Sequence, residues 1–126
     1  MFTGIVEEAG KVVSIKPAQK SIQLVIRARD VGLGLKTGAS VAVNGCCLTV
    51  VKLARRGRER LIQFDLLQES WRLTNLQFAK AGSLVNLERP LRTGGEFGGH
   101  FVPGHVAGLG RITQSERVGR ANKLDI

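Results

Sequence analysis

Short segments in which apolar and polar residues alternate run through most of this chain. In residues 21–29 the apolar side chains fall on every second position, the period of a strand with one buried face. These positions are Ile22, Leu24, Ile26 and Ala28. Comparable segments lie at 10–16, 40–43, 46–54, 61–67 and 83–91. Six short strands with a turn signal about every 8–12 residues predict an all-β fold, a small six-stranded antiparallel Greek-key barrel.

Turn signals separate these predicted strands. Asn44-Gly45 lies between two apolar runs, which is the strongest short hairpin signal. The polar stretches at 17–21 and 55–60 predict two further turns. Residues 68–76 (QESWRLTNL) form the best candidate for a single short helix, and Trp71 is expected to pack inward.

The start of the chain recurs 100 positions later without a gap. Chance matches glycines easily in a glycine-rich chain, but it does not readily match the apolar positions as well. The pairs include Gly4/Gly104, Val6/Val106, Gly10/Gly110, Val12/Ile112, Leu24/Leu124 and Ile26/Ile126. We therefore expect residues 1–97 to form a first barrel and residues 98–126 to begin an incomplete second copy, with apolar strands at 101–112 and 121–126.

The chain carries a formal net charge of +9 but lacks the pattern of a nucleic-acid-binding protein. Basic residues cluster at 55–60 and 111–123, yet no aromatic side chains interleave with them to stack on bases. No apolar run reaches the roughly 18 residues of a membrane helix, and the N-terminus does not resemble a signal peptide. We expect a cytoplasmic protein that binds neither nucleic acid nor membrane.

Cysteine and histidine are the candidate reactive side chains. Cys46 and Cys47 are adjacent in the sequence, and adjacent side chains on a strand point to opposite faces of the sheet. We therefore expect reduced thiols and no disulfide. His100 and His105 lie five residues apart, which is not the i, i+4 spacing of a helical zinc pair. We expect no metal site. Both histidines are then either ordinary residues beside a glycine turn or members of a ligand pocket.

Several long motifs resemble the riboflavin synthase alpha-chain family of lumazine-binding barrels. They are MFTGIVEE, SVAVNGCCLTV, FDLLQESWRLTNL, VNLERPLR and GGHFVPGHVAGLG, and they occur in the family's order from residue 1 to at least residue 112. Family members carry two complete barrels and a C-terminal helix. The resemblance therefore implies that this chain holds the first barrel and only the beginning of the second.

The resemblance also implies a reaction without metal or cofactor. Two molecules of 6,7-dimethyl-8-ribityllumazine undergo dismutation, in which a four-carbon unit passes from one to the other. The products are riboflavin and 5-amino-6-(ribitylamino)uracil. Holding two flat heterocycles face to face would supply most of the rate, and acid–base help would come second.

The family's ligand-binding residues carry over to four segments of this chain and to Ser40. The implied set is Phe2, Thr3, Gly4, Ile5, Val6, Ser40, Cys47, Leu48, Thr49, Asp65, Leu66, Leu67, Gln68, Glu69, Ser70, His100, Gly104, His105 and Val106. Among these, His105 is the candidate general base for the C7 methyl, and Cys47 is the thiol that could add at C7 or merely fill space. Three positions depart from the family: Ser70 is usually threonine, Pro103 commonly serine and Ala107 often aspartate.

Without the resemblance, the same residues have ordinary structural explanations. Gly4 and Gly104 suit turns, Cys47 suits a buried site, and Glu69 could flank the helix. Two functions stay open: a riboflavin synthase, or a non-catalytic lumazine- or flavin-binding module, since the second barrel is incomplete. In the family, the site lies between the first barrel of one subunit and the second barrel of its neighbour in a trimer, so a homo-oligomer is expected.

Overall fold

The structure, a computed structural model, describes residues 1–95 and 97–126. Its strands are β1 (Glu8–Pro17), β2 (Ser21–Ala28), β3 (Ser40–Val43), β4 (Cys46–Arg56), β5 (Glu59–Leu67), β6 (Leu84–Glu88), β7 (Gln114–Val118) and β8 (Ala121–Asp125). One α-helix, α1 (Gln68–Arg72), and a 3-10 turn, Asn75–Phe78, lie between β5 and β6.

The first six strands close an antiparallel barrel in the order β1-β2-β5-β4-β3-β6. Residues 8–11 of β1 pair with β6, and residues 11–17 pair with β2, so that β1 closes the barrel. Strands β2 and β3 follow each other in the chain but are not neighbours in the barrel, which is the crossover of a Greek key. The predicted six-stranded barrel is confirmed.

The apolar positions of the alternating segments form the barrel core. On β2, Leu24 and Ile26 are fully buried, and they pair with Phe64 and Ile62 of β5, which are buried to the same extent. Burial of one such side chain stabilises a fold by about 1.5–3 kcal/mol. The alternation that predicted β2 therefore also predicted which of its faces is inside.

The turns follow the sequence signals. Asn44 and Gly45 both have positive φ angles, 49° and 81°, as a tight hairpin between β3 and β4 requires. The next turn is tighter than expected, because β4 continues to Arg56 and β5 begins at Glu59. Gly57, with a φ of 61°, makes that reversal possible.

The helix predicted over 68–76 is divided into two shorter pieces. The backbone of Thr74 is extended, with φ −131° and ψ 161°, and its hydroxyl donates a 2.7 Å hydrogen bond to the carbonyl of Ser70. This local bond competes with helix continuation. Trp71 packs against the barrel core, as predicted. Neither helical piece in the described ranges has the length and apolar character that crossing a membrane demands.

Strands β7 and β8 form a separate two-stranded sheet that repeats the register of β1 and β2. Ile15 pairs with Leu24 in the first hairpin, and Ser115 pairs with Leu124 in the second. Both partners of the second pair lie 100 positions after those of the first. The internal repeat therefore extends from the sequence to the backbone pairing.

The prediction of a strand at 101–112 is wrong. Within that range Val102 alone pairs, in an isolated bridge with Phe2, and strand β7 begins later, at Gln114. In the first barrel, residues 8–11 pair with β6. None of the described residues offers an equivalent of β6 to residues 108–111, so these lack a partner strand.

Candidate functional site

A cavity of about 350 Å³ opens beside the start of β4 and the helix α1. One wall belongs to the first barrel and α1, and the other belongs to the glycine-rich segment at residues 104–106. The lining residues are Cys46, Cys47, Glu69, Ser70, Leu73, Gly104, His105 and Val106. Six of these eight belong to the set that the sequence predicts to bind ligand.

The two walls meet at Gly104. The backbone N–H of Cys47 donates to the carbonyl of Gly104 at 2.8 Å, and Gly104 has a φ of 82°. A Cβ atom at Gly104 would lie 2.9 Å from the Cβ of Cys47. Glycine is therefore required both by the backbone conformation and by the close approach.

Other predicted residues lie on the outer surface of the neighbouring strands. Ser40 of β3 pairs directly with Thr49 of β4, so their side chains share a face. Val50 of β4 pairs with Phe64 of β5. Because the strands are antiparallel, Thr49, one residue before Val50, lies opposite Asp65, one residue after Phe64. Thr49 and Asp65 are exposed, which leaves their side chains accessible to a ligand.

Leu48 and Leu66 have a different environment. Their side chains are 6% and 1% exposed and belong to the barrel core. Only their backbone groups can face a ligand. Leu67, by contrast, is 65% exposed at the end of β5, next to Gln68 and the start of α1.

The N-terminal part of the predicted set lies apart from the cavity at Cys47. Phe2, Gly4 and Val6 line a second cavity of about 340 Å³, together with Val102. Thr3 and Ile5 border a third. Besides the residues on the outer strand surface and in the core, the predicted set thus divides between the cavity at Cys47 and the surroundings of the N-terminal arm, residues 1–6.

His100 is bound to this arm. Its backbone N–H donates to the carbonyl of Thr3 at 2.8 Å. His105, five residues later, lines the cavity at Cys47. The two histidines therefore lie in different surroundings.

The chemistry of the cavity is that of a polar, partly enclosed ligand site. It offers the Cys47 thiol, the Glu69 carboxylate, the Ser70 hydroxyl and the His105 imidazole, beside an open glycine backbone. Such a mixture suits a ligand with several hydrogen-bonding groups. Across residues 1–95 and 97–126, no three His, Cys, Asp or Glu side chains come close enough to hold a metal ion.

The two cysteines have different roles in the site. Burial, and to a smaller extent the neighbouring Cys47, raises the pKa of the Cys46 thiol. Cys46 is 5% exposed and packs in the core, where a protonated thiol behaves as a small apolar group. Cys47 is half-buried at the cavity and is the thiol available to a ligand.

One residue with a clear structural role was missed by the sequence analysis. The Glu88 side chain is 8% exposed, and its carboxylate accepts hydrogen bonds from Thr3 and Gly4. The contact joins residues 84 and 85 positions apart in the chain. No local pattern in the sequence indicates such a pairing.

Comparison with known proteins identifies the family. The model of the lumazine-binding domain matches residues 3–90. The riboflavin synthase of Bacillus amyloliquefaciens is 42% identical over 126 residues, which are all of this chain and 57% of its own length. That of Escherichia coli (strain K12) is 44% identical over 120 residues, 92% of this chain and 54% of its own length. The chain spans just over half the length of these relatives.

Solved structures of LumP have the same fold. LumP complexed with flavin mononucleotide has a TM-score of 0.77 and 28% sequence identity, and the likeness covers 98% of this chain and 67% of that one. LumP complexed with 6,7-dimethyl-8-(1'-D-ribityl) lumazine also has a TM-score of 0.77, with 26% identity and the same coverage. Fold, sequence and family model agree: this chain belongs to the lumazine-binding domain family.

Proposed function

We propose that this chain is a riboflavin synthase chain whose first barrel binds 6,7-dimethyl-8-ribityllumazine and riboflavin in the cavity between Cys47 and His105. The observation that carries the proposal is the composition of that cavity. Six residues at which a ligand was expected from the sequence meet there, although three of them are separated from Gly104 by more than 30 residues of chain. The 42% identity to a riboflavin synthase over the whole chain supports it.

The roles of the residues follow from their chemistry. Thr49 follows Cys47 by two positions on β4, so its side chain shares a face with Cys47, and with Asp65 it offers hydrogen bonds to a polyol such as the ribityl chain. His105 is the group on this wall that could take a proton from the acidic C7 methyl of a lumazine. Cys47 lies on the opposite wall, where its thiol could add at C7 of the other lumazine or fill space.

We also propose that residues 1–97 form one lumazine-binding domain and that residues 98–126 begin a second. The identical register of the β1–β2 and β7–β8 hairpins supports this division. Dismutation, a group transfer, needs two lumazines face to face. In the family this arrangement uses two barrels from neighbouring subunits, so we infer that catalysis requires a trimer in the cytoplasm with complete second barrels.

The alternative is a binding module without turnover. The observation that favours it is the similarity to LumP, whose solved complexes contain flavin mononucleotide, riboflavin and the ribityl lumazine. Both functions require a ligand site in the first barrel. They differ in whether riboflavin is formed from the lumazine.

Fluorescence titration tests the binding proposal. The 126-residue chain should quench riboflavin fluorescence saturably near one equivalent per chain. His105→Ala should weaken the affinity about tenfold, as the loss of one good hydrogen bond would. Absence of saturable binding by a folded sample would contradict the site. Because turnover is assigned to a complete second barrel, the 126-residue chain should form no riboflavin from the lumazine. Riboflavin formation in the same cuvette would exclude the binding-module alternative and contradict the requirement for a complete second barrel.

A further inference from the structure

Glu88 is the one charged side chain that is buried among the residues described. It ends strand β6, next to Ala42 of β3. One carboxylate oxygen accepts the backbone N–H of Thr3 at 2.5 Å and the Thr3 hydroxyl at 2.7 Å. The other accepts the backbone N–H of Gly4 at 3.0 Å. Hydrogen bonds to an ionised carboxylate are stronger than neutral ones, so Glu88 anchors the N-terminal arm on the barrel.

The N-terminal arm in turn holds the segment that leads to the cavity. Phe2 and Val102 exchange two backbone hydrogen bonds, of 2.8 and 3.0 Å, and the Thr3 carbonyl accepts from His100 at 2.8 Å. Phe2 is 1% exposed but lies outside the barrel's core cluster. The arm is thus a layer between the barrel wall and residues 100–102.

Residues 100–106 therefore have two attachments. At one end they bond to the arm, which Glu88 anchors. At the other end, Gly104 accepts the N–H of Cys47 at 2.8 Å, which places His105 and Val106 at the cavity. Since only two residues separate Val102 from His105, a shift of the arm is transmitted directly to the cavity wall.

We propose that Glu88 is a positioning residue for the ligand site. Its carboxylate does not line the cavity at Cys47. It acts through the arm, whose backbone holds residues 100–106 as the second wall. The inference rests on the proposed function, because the wall matters only if the cavity binds the flavin or lumazine.

Glu8 provides a matched control at another part of the barrel. Its carboxylate also accepts three hydrogen bonds, from the backbone N–H groups of Arg29, Asp30 and Val31, at 2.6, 2.8 and 2.8 Å. Neither Glu8 nor these partners line the cavity at Cys47. Glu8→Gln should therefore disturb the fold by the same chemistry without reaching the site.

The test compares Glu88→Gln with Glu8→Gln in the full 126-residue chain. The glutamine replaces one acceptor oxygen by an NH₂ group, which faces an N–H donor and leaves it unsatisfied. At a temperature where circular dichroism shows both variants folded, riboflavin affinity should fall about tenfold in Glu88→Gln and less than twofold in Glu8→Gln. The amides of His100 and Val102 should exchange hydrogen faster in Glu88→Gln alone.

Other outcomes separate this inference from the function on which it rests. Equal affinities in Glu88→Gln and the unaltered chain, or equal losses in both variants, would overturn the positioning role. If the unaltered chain binds no riboflavin, the proposed function fails, and hydrogen exchange at residues 100–106 alone decides whether Glu88 holds them. If Glu88→Gln does not fold, the test uses Thr3→Val instead, which removes the hydroxyl bonded to Glu88. Unchanged hydrogen exchange at His100 and Val102 and unchanged riboflavin affinity in Thr3→Val would contradict the inference.

Discussion

The β1–β2 hairpin and the β7–β8 hairpin hold corresponding pairs in the same register, yet one is enclosed in a barrel and the other lies in solvent. Leu24 is fully buried, whereas Leu124, at the corresponding position, is 49% exposed. The difference lies in the flanking strands: β6 and β5 pair with the outer edges of β1 and β2, whereas among the described strands β7 and β8 pair only with each other. Register is thus set locally, and burial is set by strands distant in the chain.

Side-chain hydrogen bonds also join the first hairpin to distant parts of the barrel. Glu7 bonds to Arg89 beyond the end of β6, and Glu8 bonds to the loop after β2. The positions 100 residues later are occupied by Ala107 and Gly108, which cannot form such bonds through their side chains. Among the described residues, the side-chain hydrogen bonds of the second hairpin are local, from Thr113 to the carbonyl of Asp125 and from Arg117 to the carbonyl of Gly119.

The largest expected difference concerns two equivalent leucines. Leu24→Ala should lower the free energy of unfolding by about 2–5 kcal/mol, because it leaves a cavity in the closed core. Leu124→Ala should change it by less than about 0.5 kcal/mol. Urea unfolding of both variants measures the difference. Comparable losses would show that the second hairpin is as well packed as the first.

The exposed second hairpin should promote self-association. It leaves Leu124 and Ile126 partly or largely exposed, 49% and 82%, on strand edges that can pair with other chains. Light scattering should give a mass above that of one chain, and Leu124→Lys should lower it. Ala121→Lys adds the same charge to the other face of β8 and should lower it less. A monomeric unaltered chain would contradict this expectation.

A smaller effect is expected from the Glu7–Arg89 brace at low pH. Burial alone would raise the pKa of Glu7, but the hydrogen bonds and charge of Arg89 outweigh it and hold the pKa below its ordinary value of 4.5. The brace therefore stabilises the fold above that value, and its contribution is lost as the pH falls through the lowered pKa.

In Glu7→Gln, the free energy of unfolding should accordingly fall less steeply below about pH 5 than in the unaltered chain. Urea unfolding at several pH values measures this dependence. Glu116→Gln, in the exposed strand β7, is the matched control and should leave it unchanged. The same pH dependence in all three proteins would show that the Glu7 brace contributes nothing.

The local pattern of the sequence was enough to predict the barrel. Alternation in residues 21–29 identified β2 and its buried face, and Asn44-Gly45 identified a hairpin, because these features depend on neighbouring residues. The start of β7 was predicted wrongly for the opposite reason. Residues 108–111 match the part of β1 that pairs with β6, and that partner is not supplied by the described chain.

The candidate site was predictable only in part. The resemblance to the family indicated Cys47, Ser70 and His105, which the structure places around one cavity. It did not indicate that the N-terminal arm lies apart from that cavity. The hydrogen bonds between Glu88 and the arm join residues more than 80 positions apart. Such contacts form only in the closed barrel, so no local sequence pattern predicts them.

The central claim is that residues 104–106 form one wall of a riboflavin site in the first barrel. The most direct measurement is the riboflavin affinity of Gly104→Ala beside that of Gly119→Ala. Both glycines have positive φ angles, but a Cβ at Gly104 would lie 2.9 Å from the Cβ of Cys47, and one at Gly119 would meet nothing within 4 Å. The account predicts at least about a tenfold loss of affinity in Gly104→Ala and none in Gly119→Ala. Equal affinity in both variants would contradict it.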